Sequence, residues 1–245
     1  MIDVTFDFTT DSPGYWDGFW DRNEGLGSGG ADPDIVSRTL QRYHQILWSR
    51  ELPNGEFMDL KSSSDSFYYL TWKNFRFASD AIIVGFRYQK YRYMIEQVFE
   101  KVKDYKAYYE NLIRRSYSIG GTIIFPKHQS SMNQNRGTNT FISDRWDLTL
   151  ECIRRYYKGE SSPLYKTILR DKAFFDLFVD FKGYVDFFFL QDCVSDDYSK
   201  VDIWCGDASF KESGLPKTLD DYFKFIEKEF EFMDKRNKRI AQLGY

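Results

Sequence analysis

The sequence is short of the residues that usually announce a chemistry. Among 245 residues there are three cysteines and two histidines. Cys152, Cys193 and Cys205 are odd in number and far apart, which speaks against the paired framework of a small disulfide-held secreted domain. There is no Cys-x-x-Cys, and His44 and His128 lie far from each other, so the spacing of a zinc site is missing too. No uncharged apolar run reaches the roughly 18 residues of a membrane span; the best stretch, 173–190, is broken by Asp176, Asp180, Lys182 and Asp186. The N-terminus carries Asp3 and Asp7 where a secretory signal needs basic and then apolar residues, so a soluble cytoplasmic protein is expected. Neither sign of charge dominates: 34 Lys and Arg stand against 37 Asp and Glu, net −3, without the basic excess of a general nucleic-acid binder. G-x-x-x-x-G-K-[ST] and G-x-S-x-G are both absent, which removes the P-loop and nucleophile-elbow classes.

What is abundant is aromatic. Six Trp, 18 Tyr and 23 Phe make up 19% of the chain, enough with this length to bury a sizeable core, so overall disorder is excluded. Ile2 to Thr9 alternates and reads as a strand; residues 10–31 read as an irregular loop whose Tyr15, Trp16, Phe19 and Trp20 are too apolar to leave in water. Asp32 and Pro33 supply an N-cap and a first-turn proline for a helix to about Trp48. LPNG at 52–55 is a turn, and FMDL, SFYYLTW, FRF and IIVGF read as short strands of an antiparallel meander. A helical stripe runs from Met94 to Ile113, TIIF at 122–125 is a buried strand, and residues 126–143 are a long polar loop of the kind that often carries function. Asp144 is expected to cap a helix to about Lys158. Residues 171–190 hold two aromatic segments divided at Gly183, and Thr218 with Asp221 opens a final helix to about Leu243. Lys235, Arg236, Lys238 and Arg239 near its end read as a solvated cluster. With no repeat and no low-complexity linker, the expectation is one α+β domain over 1–245, mainly helical with a small mixed or antiparallel sheet.

The helix predicted at 144–158 is the most informative segment. On a wheel, Asp144, Asp147, Glu151, Arg154, Arg155 and Lys158 share an arc of roughly 100°, and the rest is largely apolar. Such a stripe either lines a cleft or is neutralised internally, because a buried unpaired charge is costly. Glu151 can pair with Arg154 at i,i+3 or Arg155 at i,i+4. If the stripe lines a cleft, the polar loop before it supplies partners. Arg136 offers a guanidinium fork for phosphate or carboxylate, Asn133 and Gln134 offer hydrogen bonds to a base or sugar edge, and Gly137 admits backbone close to a ligand. The anion is placed on Arg136 rather than on the helix end, where Asp144 and Asp147 would repel it.

Other constellations weigh less. Asp144, Asp147 and Glu151 have the spacing of oxygen ligands for Mg²⁺, but Arg154 and Arg155 on the same stripe oppose it, and no metal ligands are assigned. His128, in the polar loop, is a candidate general acid or base; His44 reads as a partly buried helix residue and Cys152 as a packed, inert thiol. Gly25 to Gly30 matches G-x-G-x-x-G but lacks the preceding strand and is followed by Asp32 and Asp34, so it reads as a loop. Arg87, Lys90 and Arg92 interleaved with Tyr88, Tyr91 and Tyr93 could form a nucleic-acid track, with alternating faces of a strand-to-helix transition as the plainer reading.

The segments GGTIIFPK, NQNRG and ISDRWDLTLECIRRYY, with TLQRYHQILWSRELPNGEF before them and FFDLFVDFKGYVDFFFLQD after, resemble a bacterial family known only as a domain of unknown function. Its signature falls on Asn133, Gln134, Arg136, Gly137, Ile142, Asp144, Arg145, Asp147 and Glu151. The N-terminal GLGSGGADPD is longer and richer in glycine than the family's Gly-x-Asp-Pro-Asp. The resemblance implies one shared domain and a focal site, and supplies no reaction and no cofactor. Together the residues point to a pocket for an anionic small molecule such as a nucleotide, held by Arg136, Arg145 and Arg154 with Asn133, Gln134 and Gly137, and with Asp144, Asp147, Glu151 and His128 as orienting or acid–base groups. The rival is a non-catalytic interaction module, in which the charges form a structural network and Tyr15 to Trp20 contact a protein partner.

Overall fold

The computed structural model describes residues 1–20, 30–63, 70–86, 88–127 and 131–244. Four antiparallel strands lie in the order β1 (Lys61–Ser62), β2 (Leu70–Trp72), β3 (Phe75–Ala81) and β4 (Thr122–Pro126). β3 alternates, burying Phe77, Ser79 and Ala81, whereas β4 is buried at every position, the two burial patterns that β-branched and aromatic runs favour. Ser79 pairs with Ile124 and Asp80 with Ile123, so β3 carries two polar side chains into the middle of the molecule. Helices surround this sheet, and a single cluster of buried apolar residues runs through all of them. The α+β expectation holds, with an antiparallel sheet.

The best-read elements are those with local caps. Asp32 accepts from Asp34 N ahead of α1 (Pro33–Val36), and Thr218 accepts from Asp221 N ahead of the long α10 (Leu219–Ala241). Breaks inside apolar stripes were less visible. The helix expected from Pro33 to Trp48 is interrupted at Ser37, whose hydroxyl accepts from Leu40 N to start α2 (Arg38–Trp48). The stripe from Met94 to Ile113 is likewise two helices, α3 (Tyr88–Lys101) and α4 (Tyr105–Ser116), the second opened by Asp104. After α7 (Tyr165–Arg170) and α8 (Lys172–Phe175), Gly183 sits inside α9 (Phe181–Phe187), and the division falls instead at Val179, in the left-handed region at φ 69°, followed by the cap Asp180.

Three expected strands are not strands. FMDL at 57–60 forms only an isolated bridge, Phe57 with Glu51, and the SFYY part of SFYYLTW lies outside the described residues. Between Ile2 and Thr9 the side chains of Asp3 and Asp7 take the backbone N–H groups of Thr5 and Thr9, and the chain coils into a short 3₁₀ turn, Phe8–Asp11. After β3, the N–H groups of Val84 and Gly85 donate to the buried carboxylate of Glu229 on α10, at 2.8 and 3.1 Å, so IIVGF leaves the sheet. Arg236 is a further correction: rather than joining a solvated cluster it is fully buried, donating to the carbonyls of Phe188, Gly120 and Thr122. Burial lowers its pKa to about 9.

Among the described residues neither aromatic group singled out by the sequence forms an open patch; the side chain of Tyr88 lies outside them. Tyr15 and Phe19 are buried, Trp16 lies half-buried under Arg114, and Trp20 donates to Glu110. Tyr91 is buried against Phe225 whereas Tyr93 is exposed, as helix α3 dictates; Arg87 lies outside the described residues. Gly25 to Gly29 also lie outside them.

Candidate functional site

The polar loop expected at 126–143 contains a helix, α5 (Met132–Thr138), and His128 lies outside the described residues. After α5 the chain reverses through Ser143 and Asp144, two consecutive non-glycine residues at φ 51° and 66°. Such backbone costs on the order of 1–3 kcal/mol per residue and persists only when its surroundings fix it. Here the fixing groups are clear: Tyr91 Oη donates to Ser143 O, Asp144 N donates to Arg136 O, and Arg136 Nη2 donates to Asp144 O at 2.9 Å. The turn leaves Asp144 unable to cap. Arg145 is the N-cap residue of α6 (Trp146–Tyr157) by backbone geometry, without a capping side chain.

Arg136 is 0% exposed. Its Nε donates to Thr149 on α6, and its Nη1 donates to Asp80 and to Ala81 O of β3. With Nη2 on Asp144 O, one guanidinium welds α5, β3, α6 and the strained turn together. Asn133 Nδ2 extends the join by donating to Ser79 O, while its Oδ1 is buried without a hydrogen-bond partner. Gln134 is exposed on α5, and Gly137 has room: an added Cβ would meet only Lys90 Nζ at 3.8 Å and Asp144 Oδ2 at 4.0 Å.

The next charges along α6 pair with a different part of the chain. Arg145, 2% exposed, donates Nε to Asp147 at 3.1 Å and Nη2 to the other oxygen of the same carboxylate. It also donates to Cys205 O and Gly214 O, each at 2.8 Å, and Asp147 accepts from Trp204 N at 2.8 Å. Burial works against the charge of Arg145, but Asp147 outweighs it, and the guanidinium holds its proton more tightly than usual. One turn on, Glu151 accepts from Arg154 and Arg155, and Arg155 Nη2 reaches Ala208 O. Burial alone would raise the Glu151 pKa; the two arginines lower it. The stripe on α6 is thus internally paired, and it ties down the segment between residues 204 and 214.

Beside this contact lies a cavity of about 160 Å³. Arg145 forms part of its lining, together with Phe141, Phe210, Asp221 and the segments 205–207 and 212–217. Of the other residues singled out by the sequence, Arg136, Asp144, Asp147, Glu151 and Arg154 do not line it. Four of the five N–H bonds of Arg145 are spent on protein acceptors, leaving one on Nη1. The Cys205 thiol is pushed up to about 11, chiefly by burial, so it stays protonated near neutral pH and is a poor nucleophile.

A second polar chain went unnoticed in the sequence. Trp48 Nε1 donates to His44 Nδ1 at 2.9 Å, which puts the imidazole proton on Nε2, facing Ser79 Oγ at 3.2 Å; Ser79 in turn donates to Asp34 at 2.6 Å. Serine, histidine and aspartate therefore meet, but with the polarity of a hydrolytic triad reversed: the histidine gives a proton to serine and cannot take one. Burial, with help from the Arg236 charge, lowers the His44 pKa to about 3, so the ring stays neutral. The chain fastens α1 and α2 to β3. Among the described residues no grouping of His, Cys, Asp and Glu could hold a metal ion, and no helix is long and apolar enough to cross a membrane.

Fold and site together define an α+β protein with a charged loop-and-helix segment buried at its centre. The chain belongs to a family of unknown function, DUF6994, whose profile matches residues 2–240. No curated protein and no solved structure matches it.

Proposed function

We propose that the protein binds a small molecule through one anionic group, seated in the cavity over Arg145. The observation that carries this reading is the uncommitted N–H of a buried, firmly charged guanidinium in a cavity wall. A guanidinium fixed by Asp147 and two carbonyls is preorganised, so little ordering cost is left for the ligand to meet. The anion thereby moves from Arg136, where the sequence suggested it, to Arg145. Arg136, Asp144, Asp147, Glu151, Arg154 and Asn133 become the framework that holds Arg145 and the 204–214 segment in register. At about 160 Å³ the cavity is well below the roughly 300–1,000 Å³ of drug-sized sites. Three carboxylates in its lining, Asp207, Glu212 and Asp221, favour a singly charged carboxylate over a phosphate or a nucleotide polyphosphate.

Cys205 gives the test. It is half-buried in the cavity wall, whereas Cys152 and Cys193 are fully buried and serve as internal controls. Millimolar 4-methylpentanoate is expected to slow labelling of Cys205 by a small thiol reagent at mildly alkaline pH, and Arg145→Lys is expected to abolish that protection. Unchanged labelling, or equal protection in the variant, contradicts the reading.

A further inference from the structure

The lining of the Arg145 cavity holds more acid than an anionic ligand alone explains. Glu212 is neutralised by its ion pair with Lys217. Asp207 and Asp221 form no ion pair among the described residues: Asp207 accepts from Ser209 N at 2.7 Å, Asp221 accepts from the Thr218 hydroxyl at 2.7 Å, and Lys217 acts on both, as Lys211 does on Asp207, only at longer range. Asp221 sits in the first turn of α10. Arg145, Cys205 and Asp221 line the one cavity, and after burial the Cys205 thiol feels the charges of Arg145, Asp147, Asp221 and Glu229. The wall thus presents a guanidinium with a spare N–H and two carboxylates that meet lysine charge only at longer range than an ion pair. Phe141, Phe210, Leu215 and Pro216 supply the apolar remainder.

We propose that the cavity takes a free amino acid with an apolar side chain, its carboxylate on Arg145, its ammonium on Asp221 and Asp207, and its side chain against Phe141, Phe210 and Leu215. The inference rests on the anionic-anchor reading above and adds the second charge and the apolar end. Two opposite charges on adjacent carbons match a cavity whose own opposite charges stand on facing elements, the start of α6 and the start of α10. A dianionic phosphate would meet the same two carboxylates as repulsion.

Titration calorimetry of the full chain with L-leucine, 4-methylpentanoate and L-leucinamide separates the two readings. L-Leucine is expected to bind, and each analogue, lacking one charge, to bind weaker by about tenfold or more, as sites that pair a polar group reject ligands without it. Asp221→Asn keeps an acceptor for Thr218 and is expected to lower leucine affinity while leaving 4-methylpentanoate unchanged. If 4-methylpentanoate equals leucine, or if Asp221→Asn and Asp207→Asn both bind leucine as the parent does, the amino-acid inference is overturned and the anionic anchor stands. If leucinamide equals leucine, or nothing binds, both are overturned.

Discussion

Arg136 and Arg145 lie nine residues apart, are equally buried, and have opposite reach. Arg136 is sealed among β3, α5, α6 and the turn at Ser143 and Asp144, where it meets backbone carbonyls, Thr149 and the carboxylates of Asp80 and Asp144. Arg145 is as firmly held, by Asp147 and two carbonyls, but one side of it meets a cavity. Burial alone therefore does not separate a structural arginine from a binding one. What separates them is whether a cavity adjoins the guanidinium: Arg145 lines one and Arg136 does not.

The comparison can be broken first at its structural end. Arg136→Ala removes the cation from Asp80 and strands the Ala81 and Asp144 carbonyls, so chemical denaturation should register a loss of about 3–5 kcal/mol; a loss below 1 kcal/mol would mean that the weld is dispensable. Asp147→Asn keeps an acceptor for Trp204 N but removes the charge that fixes Arg145, with an expected loss of about 2–3 kcal/mol. It should also cost ligand affinity, which Arg136→Lys in a folded chain should not.

A smaller effect tests the neighbouring buried acid. Burial raises the Glu229 pKa from 4.5 to about 8 against the pull of the Val84 and Gly85 N–H groups. The folded chain therefore keeps a proton that the unfolded chain has released, and the contribution of this group to stability falls as pH rises from 4.5 to about 8 and levels off above. The slope in that window is on the order of 1 kcal/mol per pH unit. Glu229→Gln should flatten it while losing one acceptor for the 84–85 backbone; an unchanged slope would show that another group titrates. The smallest effect belongs to Gly137→Ala. Since a Cβ there meets nothing closer than 3.8 Å and α5 is helical, a stabilisation of about 0.5 kcal/mol is expected, and destabilisation would show that the backbone at Gly137 needs the space.

Much of this architecture was legible where local chemistry determines it. Asp32 with Pro33, Thr218 with Asp221, and Glu151 with Arg154 or Arg155 act within a few residues, and each pairing is as read. The breaks at Ser37 and Asp104 were missed because the apolar stripe continues across them. The site was only half visible. The charged start of α6 stood out, but the partners of Arg145 at Cys205 and Gly214 lie 60 and 69 residues away, beyond any periodicity. A signal did exist: the stretch from Val194 to Thr218 contains no helix or strand beyond one isolated bridge, Val194 with Val201, and is longer than the polar loop that drew attention. Phe210, at φ 56°, marks a strained non-glycine position in that stretch, in the cavity wall, which only coordinates could reveal.

The division of labour between the two arginines is tested most directly by titrating L-leucine into folded Arg136→Lys and Arg145→Lys side by side. The account predicts near-parental binding by the first and none by the second. Retained binding by Arg145→Lys with loss in Arg136→Lys would contradict it.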